Sequence, residues 1–147
     1  MKKTFLIFSF LLISFFGLGQ SNLNGNNYWE SKLNDTTGAL EMIRVRPISL
    51  GSLNSKSIIN FLNGKKSKPA DNNYIIFKKI SNDTLYLKIN NTTFLTQRMG
   101  TAGAMLYLAK VTYNLTGLKN VKYVNMDFEE GDHASPGNFS RQSFDNK

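Results

Sequence analysis

The clearest pattern of apolar positions lies between residues 85 and 128, where two alternating stretches flank a longer apolar segment. In the stretch 85–89, Leu and Ile alternate with Tyr and Lys, which is the period of a strand with one buried face. The stretch 121–128 ends with the same alternation, with apolar residues at 124, 126 and 128. Both stretches predict strands.

The segment between these strands predicts a helix over 101–116. One stripe of it is apolar at positions i, i+3, i+4 and i+7, namely Met105, Leu108, Ala109 and Thr112. Further apolar residues widen the stripe, so we expect this helix to be buried on most sides, with Lys110 and Asn114 as its polar edge. Gly117 fits the left-handed position after a helix end. The connection is long enough for parallel strands, which predicts a right-handed βαβ unit.

Upstream, strands over 28–33 and 39–45 flank a turn cluster that ends at Gly38, which predicts a hairpin. Pro47 lacks the N–H of a strand ladder and should end the second strand.

A short helix over 52–62 follows, with Ser55 or Ser57 as its cap and Gly64 just beyond its end. The stretch 74–80 then predicts a strand that turns into 85–89. Together these elements predict a single α+β domain over 28–141, with a mixed sheet covered by two helices in the order β-β-α-β-β-α-β. Residues 142–147 should be a tail.

The first 19 residues have the layout of a secretory signal peptide. Lys2 and Lys3 precede an apolar run over 5–16, and small residues precede a cut before Gln20. The run is shorter than the roughly 20 residues that span a bilayer. The chain has no cysteine, which excludes disulfides and a lipid anchor at the cut. We expect residues 20–27 to be a mobile leader, and the mature protein to be periplasmic or extracellular with no transmembrane anchor.

The formal net charge is +8 at pH 7, and Lys2 and Lys3 belong to the predicted signal peptide. An exported basic protein meets no nucleic acid in normal service, so its charge is better suited to anionic envelope polymers or lipid surfaces. Alternatively, the charge only keeps the protein soluble, because the one dense basic cluster, 65–68, lies in a predicted loop.

The succession of elements resembles the GerMN domain, an exported α+β module first described in bacterial spore and germination proteins. The resemblance covers roughly residues 28–128. The stretches that carry it are 28–29, 40–47, 57–64, 85–89, 113–116 and 121–124. It implies a non-catalytic protein of the cell envelope, with no agreed catalytic set to transfer.

The loop after the last strand is the sharpest local feature, because ligands often sit at the carboxyl ends of parallel strands. Its charged residues are Glu129, Glu130, Asp132 and His133, followed by Arg141. Asp132 and His133 have the residue types for proton transfer. The alternative is a loop of structural turns, with Asp132 in an Asx-turn and Pro136-Gly137 in a type II turn. We expect Arg141 to reach back to one of the carboxylates and hold the loop as a recognition surface.

A second candidate precedes the long helix, where Arg98 and Thr101 lie beside free N–H groups that suit an anion. The spacing of a Walker motif is absent, as are nucleophile signatures, and one histidine gives too few ligands for a typical zinc site. We therefore expect no cofactor, no metal and no catalytic residue. Four aromatic residues suit either a sugar-stacking surface or packing: Tyr28, Trp29, Tyr86 and Tyr123.

These patterns favour a non-catalytic exported module that binds an envelope polymer or an envelope protein. The alternatives are a small hydrolase that uses Asp132 and His133, and a purely structural periplasmic subunit.

Overall fold

The structure, a computed structural model, describes residues 28–45, 54–64 and 73–145. These residues form one antiparallel sheet, one mixed sheet and two α-helices, which confirms the α+β class and the mixed sheet. The predicted signal peptide and leader, Pro47 and the basic cluster 65–68 lie outside the described residues.

The predicted hairpin is present as β1 (Tyr28–Leu33) and β2 (Leu40–Val45), which pair antiparallel in a sheet of their own. The side-chain oxygen of Asn34 accepts hydrogen bonds from the N–H groups of Thr36 and Thr37, each at 2.9 Å. Gly38 completes the turn with a φ of 70°, a conformation that glycine adopts without steric cost.

The first helix, α1 (Ser55–Asn63), is capped by Asn54 rather than by Ser55 or Ser57. The Asn54 side chain accepts a hydrogen bond from the Ser57 N–H at 2.9 Å, and the Asn54 N–H in turn donates to the Ser57 hydroxyl oxygen at 3.2 Å. This reciprocal arrangement is a capping box in which serine replaces the usual Glu or Gln. The helix ends before Gly64, as predicted.

The second sheet contains four strands in the order β3-β4-β5-β6. Their bounds are β3 (Tyr74–Ser81), β4 (Thr84–Asn90), β5 (Tyr123–Asp127) and β6 (Gly137–Phe139). The β4–β5 pair is parallel, as predicted, and its neighbours are antiparallel. The crossover contains a π-helical turn (Phe94–Arg98) and the long helix α2 (Gly100–Leu115).

Strand β6 was not predicted, because a three-residue strand is too short to show a period. Gly137 is the first residue of β6 and pairs with Met126. It does not have the positive φ that the predicted type II turn requires at that position. Gly117 also lacks the predicted left-handed conformation, and Asn120 has a φ of 66° after the helix instead.

The long helix α2 lies between the four-stranded sheet and the hairpin. Its buried residues join one apolar cluster with Leu85, Leu87 and Ile89 of β4, while Leu40 and Met42 of β2 pack against the same cluster. The prediction that Asn114 lies on a polar edge is wrong, since only 5% of this residue is exposed. The hairpin covers that face of the helix, which could not be foreseen from local periodicity.

Asn114 joins α2 to the backbone of β1. The Trp29 N–H donates to Asn114 Oδ1 at 2.9 Å, and Asn114 Nδ2 donates to the Trp29 carbonyl at 2.8 Å. Asn63 makes the same pair of bonds with Ile75 of β3, at 2.8 and 3.0 Å. Each amide therefore satisfies an N–H and a C=O on the open side of a strand, as a neighbouring strand would.

The predicted tail over 142–147 implied that packing ends at residue 141, but the residues that follow also pack against the domain. Arg141–Phe144 form a 3₁₀-helical turn, and the Phe144 ring stacks on that of Phe139 with 6.0 Å between centroids. Phe144 is buried in the same apolar cluster as α2. The folded domain thus includes residues 142–144.

We expect Leu108→Ala to lower the free energy of unfolding by about 2–5 kcal/mol, because it removes buried methyl groups and leaves a cavity. Ile43→Ala is a matched control, since 40% of Ile43 is exposed. Denaturant titration of both variants tests this. A loss below about half a kcal/mol for Leu108→Ala would place α2 outside the core.

We expect Asn114→Ala to destabilise the protein by about 2–3 kcal/mol, because two backbone groups of Trp29 lose their partner. Asn114→Asp is the sharper control: a carboxylate keeps the acceptor for the Trp29 N–H but has no donor for the carbonyl. It should therefore remain destabilised. If both variants unfold at the wild-type denaturant concentration, the hairpin is held by other contacts.

Candidate functional site

The loop after β5 packs tightly against the π-helical turn. Gly131 and Ala134 form an isolated antiparallel bridge, and the His133 N–H donates to the Thr96 carbonyl at 3.0 Å. A Cβ added at Gly131 would lie 2.7 Å from Thr96 Cβ, so this position needs glycine for close approach. The loop is a built structural element.

His133 and Thr101, two of the predicted site residues, meet in the structure. The imidazole Nδ1 lies 3.3 Å from the Thr101 hydroxyl, in the first turn of α2. The predicted partner of the imidazole was a carboxylate, but Asp132 is exposed and Glu130 accepts a hydrogen bond from the Ser135 hydroxyl at 2.6 Å. Within the described residues, no carboxylate–imidazole pair forms.

The prediction that Arg141 pairs with the acidic run is wrong. Arg141 Nε donates to the Thr116 hydroxyl at 3.0 Å, and Nη2 donates to the Tyr113 carbonyl at 3.1 Å. The guanidinium also lies 5.1 Å from the Tyr113 ring centroid and 5.5 Å from that of Trp29. Because the last carbonyls of a helix lack intrahelical partners and carry partial negative charge, this end of α2 attracts a cation more directly than the loop does.

The remaining predicted site residues, Arg98 and Glu129, are exposed, and neither side chain forms a salt bridge within the described ranges. The same part of the chain contains no group of three or more His, Asp or Glu residues placed to hold a metal ion.

Two of the four candidate aromatic residues serve packing. Tyr28 is buried and makes an edge-to-face contact with Phe61, at 4.4 Å between ring centroids. Trp29 makes an edge-to-face contact with Tyr113 at 5.6 Å. Tyr86 and Tyr123 lie instead on the outer face of the four-stranded sheet, which faces away from α2.

The outer face carries a row of side chains that crosses all four strands. Strand pairing places Lys79 opposite Tyr86, Tyr86 opposite Asn125, and Asn125 opposite Asn138. The row exists because Leu85 and Leu87 point inward, and the neighbours of an inward residue point outward in a strand.

An open groove of about 600 Å³ runs along this row from Lys79 to Asn125, within the range of about 300–1,000 Å³ that is usual for ligand pockets. Its polar and charged lining comes from Lys78, Lys79, Tyr86, Asn125 and Asp127. Pro136 and Gly137 form part of its wall. The predicted loop therefore reaches the groove only through its last residues, while the His133 side chain contacts Thr101 of α2.

A β-bulge explains why two consecutive lysines line the groove. Pairing of β3 with β4 shifts between Phe77 and Lys79, which adds one residue to β3 at Lys78. In a regular strand, Lys78 and Lys79 would point to opposite faces; a bulge re-aims the side chains. Among the described residues, neither lysine forms a salt bridge.

Two further contacts orient the polar groups of the row. The Lys79 ammonium lies 5.0 Å from the Tyr86 ring centroid, within the distance of a cation–π contact. Asn125 Nδ2 donates to Asn138 Oδ1 at 2.7 Å. This bond leaves the Asn125 oxygen as an acceptor and the Asn138 amino group as a donor.

Sequence reasoning missed most of this groove. The alternation over 123–127 places Asn125 and Asp127 on one face and was available as a signal. The contribution of Lys78 was not, because neither the bulge nor the β4–β5 register has a local sequence pattern.

Comparison with known proteins found no matching family model, no matching curated protein and no matching solved structure. The resemblance to the GerMN domain stays a prediction. In the described part of the chain, neither α-helix is long and apolar enough to cross a bilayer.

We expect Arg141→Gln to lower the free energy of unfolding by about 1–3 kcal/mol, since it removes a charged hydrogen-bond donor and its ring contacts. Arg141→Lys should recover only part of this, because an ammonium lacks the planar fork of donors. Thermal or denaturant melts measure both. The control is Glu129→Gln with Glu130→Gln, which should change nothing; a loss equal to that of Arg141→Gln would favour the acidic run as its partner.

Proposed function

We propose that this protein is an exported, non-catalytic bacterial module that binds a component of the cell envelope through the outer face of its four-stranded sheet. The observation that carries the proposal is the groove along the row of Lys79, Tyr86 and Asn125. The apolar side of the sheet is occupied by α1, α2 and the turns, so the outer face is where a ligand can approach an ordered set of polar side chains.

Export is part of the proposal. It is supported by the sequence of residues 1–19, which has the charged start, apolar run and small residues of a signal peptide. The resemblance to the GerMN domain over roughly 28–128 supports an envelope context. The formal net charge of +8 falls to +6 when Lys2 and Lys3 leave with the signal peptide, and a basic mature protein favours an anionic component of that envelope.

The contacts of His133 do not support the hydrolase alternative. General base catalysis needs a proton acceptor within hydrogen-bond reach of the reacting group in a substrate site. The imidazole instead contacts the Thr101 hydroxyl at the start of α2, and it is not among the residues that line the groove.

The test is co-sedimentation of the purified protein with cell envelopes isolated from its source organism. We expect the wild type to sediment with the envelopes. We expect the variant Lys78→Glu with Lys79→Glu to remain in solution, because it reverses the charge of the groove. The matched control is Lys56→Glu with Lys119→Glu, which makes the same change in net charge at exposed positions elsewhere and should still sediment.

A third variant distinguishes the sheet face from the loop. Asp132→Ala with His133→Ala should sediment like the wild type if the groove is the binding surface. Loss of sedimentation in this variant alone would show that the loop after β5, and not the groove, is the binding surface. A wild-type protein that stays in solution would overturn the proposed function itself.

A further inference from the structure

We infer that the groove on the outer sheet face binds an acidic polysaccharide, one that carries carboxylates on its sugar rings. The inference rests on the proposed function and names the class of its ligand. Three features of the groove support it, and each corresponds to one part of such a ligand.

The first feature is the aromatic ring of Tyr86. A pyranose ring has an apolar face of C–H groups, which packs on the face of an aromatic side chain and buries both from water. Tyr86 lies at the middle of the four-strand row and is half-buried, so its orientation is defined while part of the ring remains accessible. Tyr123 is on the same sheet face but outside the groove lining.

The second feature is the pair of ammonium groups beside that ring. Lys78 and Lys79 line the groove together, and neither has a carboxylate partner among the described residues. The Lys79 ammonium lies over the Tyr86 ring, 5.0 Å from its centroid. A sugar that packs on this face takes the place of the ammonium, which then lies beside the sugar and can pair with its carboxylate. Asp127 is the one acidic group of the lining, and it can accept hydrogen bonds from sugar hydroxyls.

The third feature is the amide of Asn125, which belongs to the groove lining. Its Nδ2 donates to Asn138 Oδ1, outside the lining, at 2.7 Å, and this bond orients the amide and leaves its oxygen as an acceptor. A hydroxyl of a sugar ring can donate to that oxygen. The fixed geometry lowers the entropy lost on binding.

The same features argue against a protein partner at this groove. Protein interfaces concentrate apolar and aromatic residues at a desolvated centre and place charges at the rim. Here two lysines, Asn125 and Asp127 stand within the lining itself, beside the apolar surface of Tyr86 and Pro136, and the groove is open to solvent. This mixture of charged, amide and apolar groups in an open groove suits an extended, hydrated sugar chain that crosses the sheet.

The experiment is isothermal titration calorimetry of the purified protein with three polymers. Polygalacturonate carries sugar and carboxylate, dextran carries sugar without charge, and polyglutamate carries carboxylate without sugar. We expect the tightest binding to polygalacturonate, with an affinity that falls as salt is added, because ion pairs at an exposed groove are screened.

Paired variants then locate the site. Tyr86→Val and Lys79→Gln should each raise the Kd for polygalacturonate by roughly fivefold or more, through loss of stacking or of a charge contact. Tyr123→Val and Lys88→Gln make the same chemical changes on the same outer face but outside the groove lining. They should change the Kd by less than about twofold. Circular dichroism melts of all four check that the fold is retained.

Equal binding of polyglutamate and polygalacturonate would overturn the inference, since charge alone would then explain it. No binding of polygalacturonate, or equal weakening by the control variants, would overturn it too. These outcomes leave the proposed function intact if the wild-type protein still sediments with envelopes and the groove variant does not. Failure of sedimentation is the separate result that removes the proposed function.

Discussion

The architecture depends on a hydrogen-bonding exchange between two buried asparagines and the backbone of two strands. Asn114 offers Trp29 an acceptor and a donor, and Asn63 does the same for Ile75. Burial of an unpaired backbone group costs about as much as a lost hydrogen bond, roughly 1–3 kcal/mol. The chain has no cysteine and therefore no disulfides, so polar contacts such as these amides join helices to strands in the described part of the chain. Apolar residues at both positions would leave four backbone groups without these partners.

The Asn114 contact helps to set where the hairpin lies relative to the four-stranded sheet. By attaching the hairpin to the far side of α2, it stacks sheet, helix and hairpin in one direction and leaves nothing from these elements over the outer face. Ser31 and Glu30 strengthen the same attachment, through the Leu106 carbonyl at 2.7 Å and the Lys110 ammonium at 2.7 Å. Among the described residues, the hairpin therefore leaves the outer face uncovered because it docks on α2 and not on the sheet.

Periodicity predicted most of the elements, because the apolar positions of each stretch mark the face of that strand or helix that is buried in the core. The alternation of Leu85, Leu87 and Ile89 was enough to define β4, and the stripe through Leu108 was enough to define α2 within a residue at either end. Side chains that contact distant segments were assigned wrongly. Asn114 was expected at a polar edge because its partner, Trp29, is 85 residues away.

The candidate site was harder to predict for the same reason. Its row depends on strand registers that join residues far apart in the chain, and on a bulge that turns Lys78 toward the groove. Tyr86 was among the aromatic candidates, but nothing local separated it from Tyr28 or Trp29. What separates them is their position in the fold: Tyr86 lies on the outer face of the four-stranded sheet, whereas Tyr28 and Trp29 pack within the domain.

The charged residues that stand out in the sequence belong to the two ends of α2. At its start, the loop after β5 packs on the π-helical turn, and His133 contacts Thr101. At its end, Arg141 binds the Tyr113 carbonyl and the Thr116 hydroxyl. Both ends of a helix have backbone groups without intrahelical partners, so polar side chains collect there for structural reasons. An open surface in the middle of a sheet has no unpaired backbone groups that require polar side chains as partners. Its polar groups can be spread singly over several strands, where they form a pattern only after the sheet has assembled.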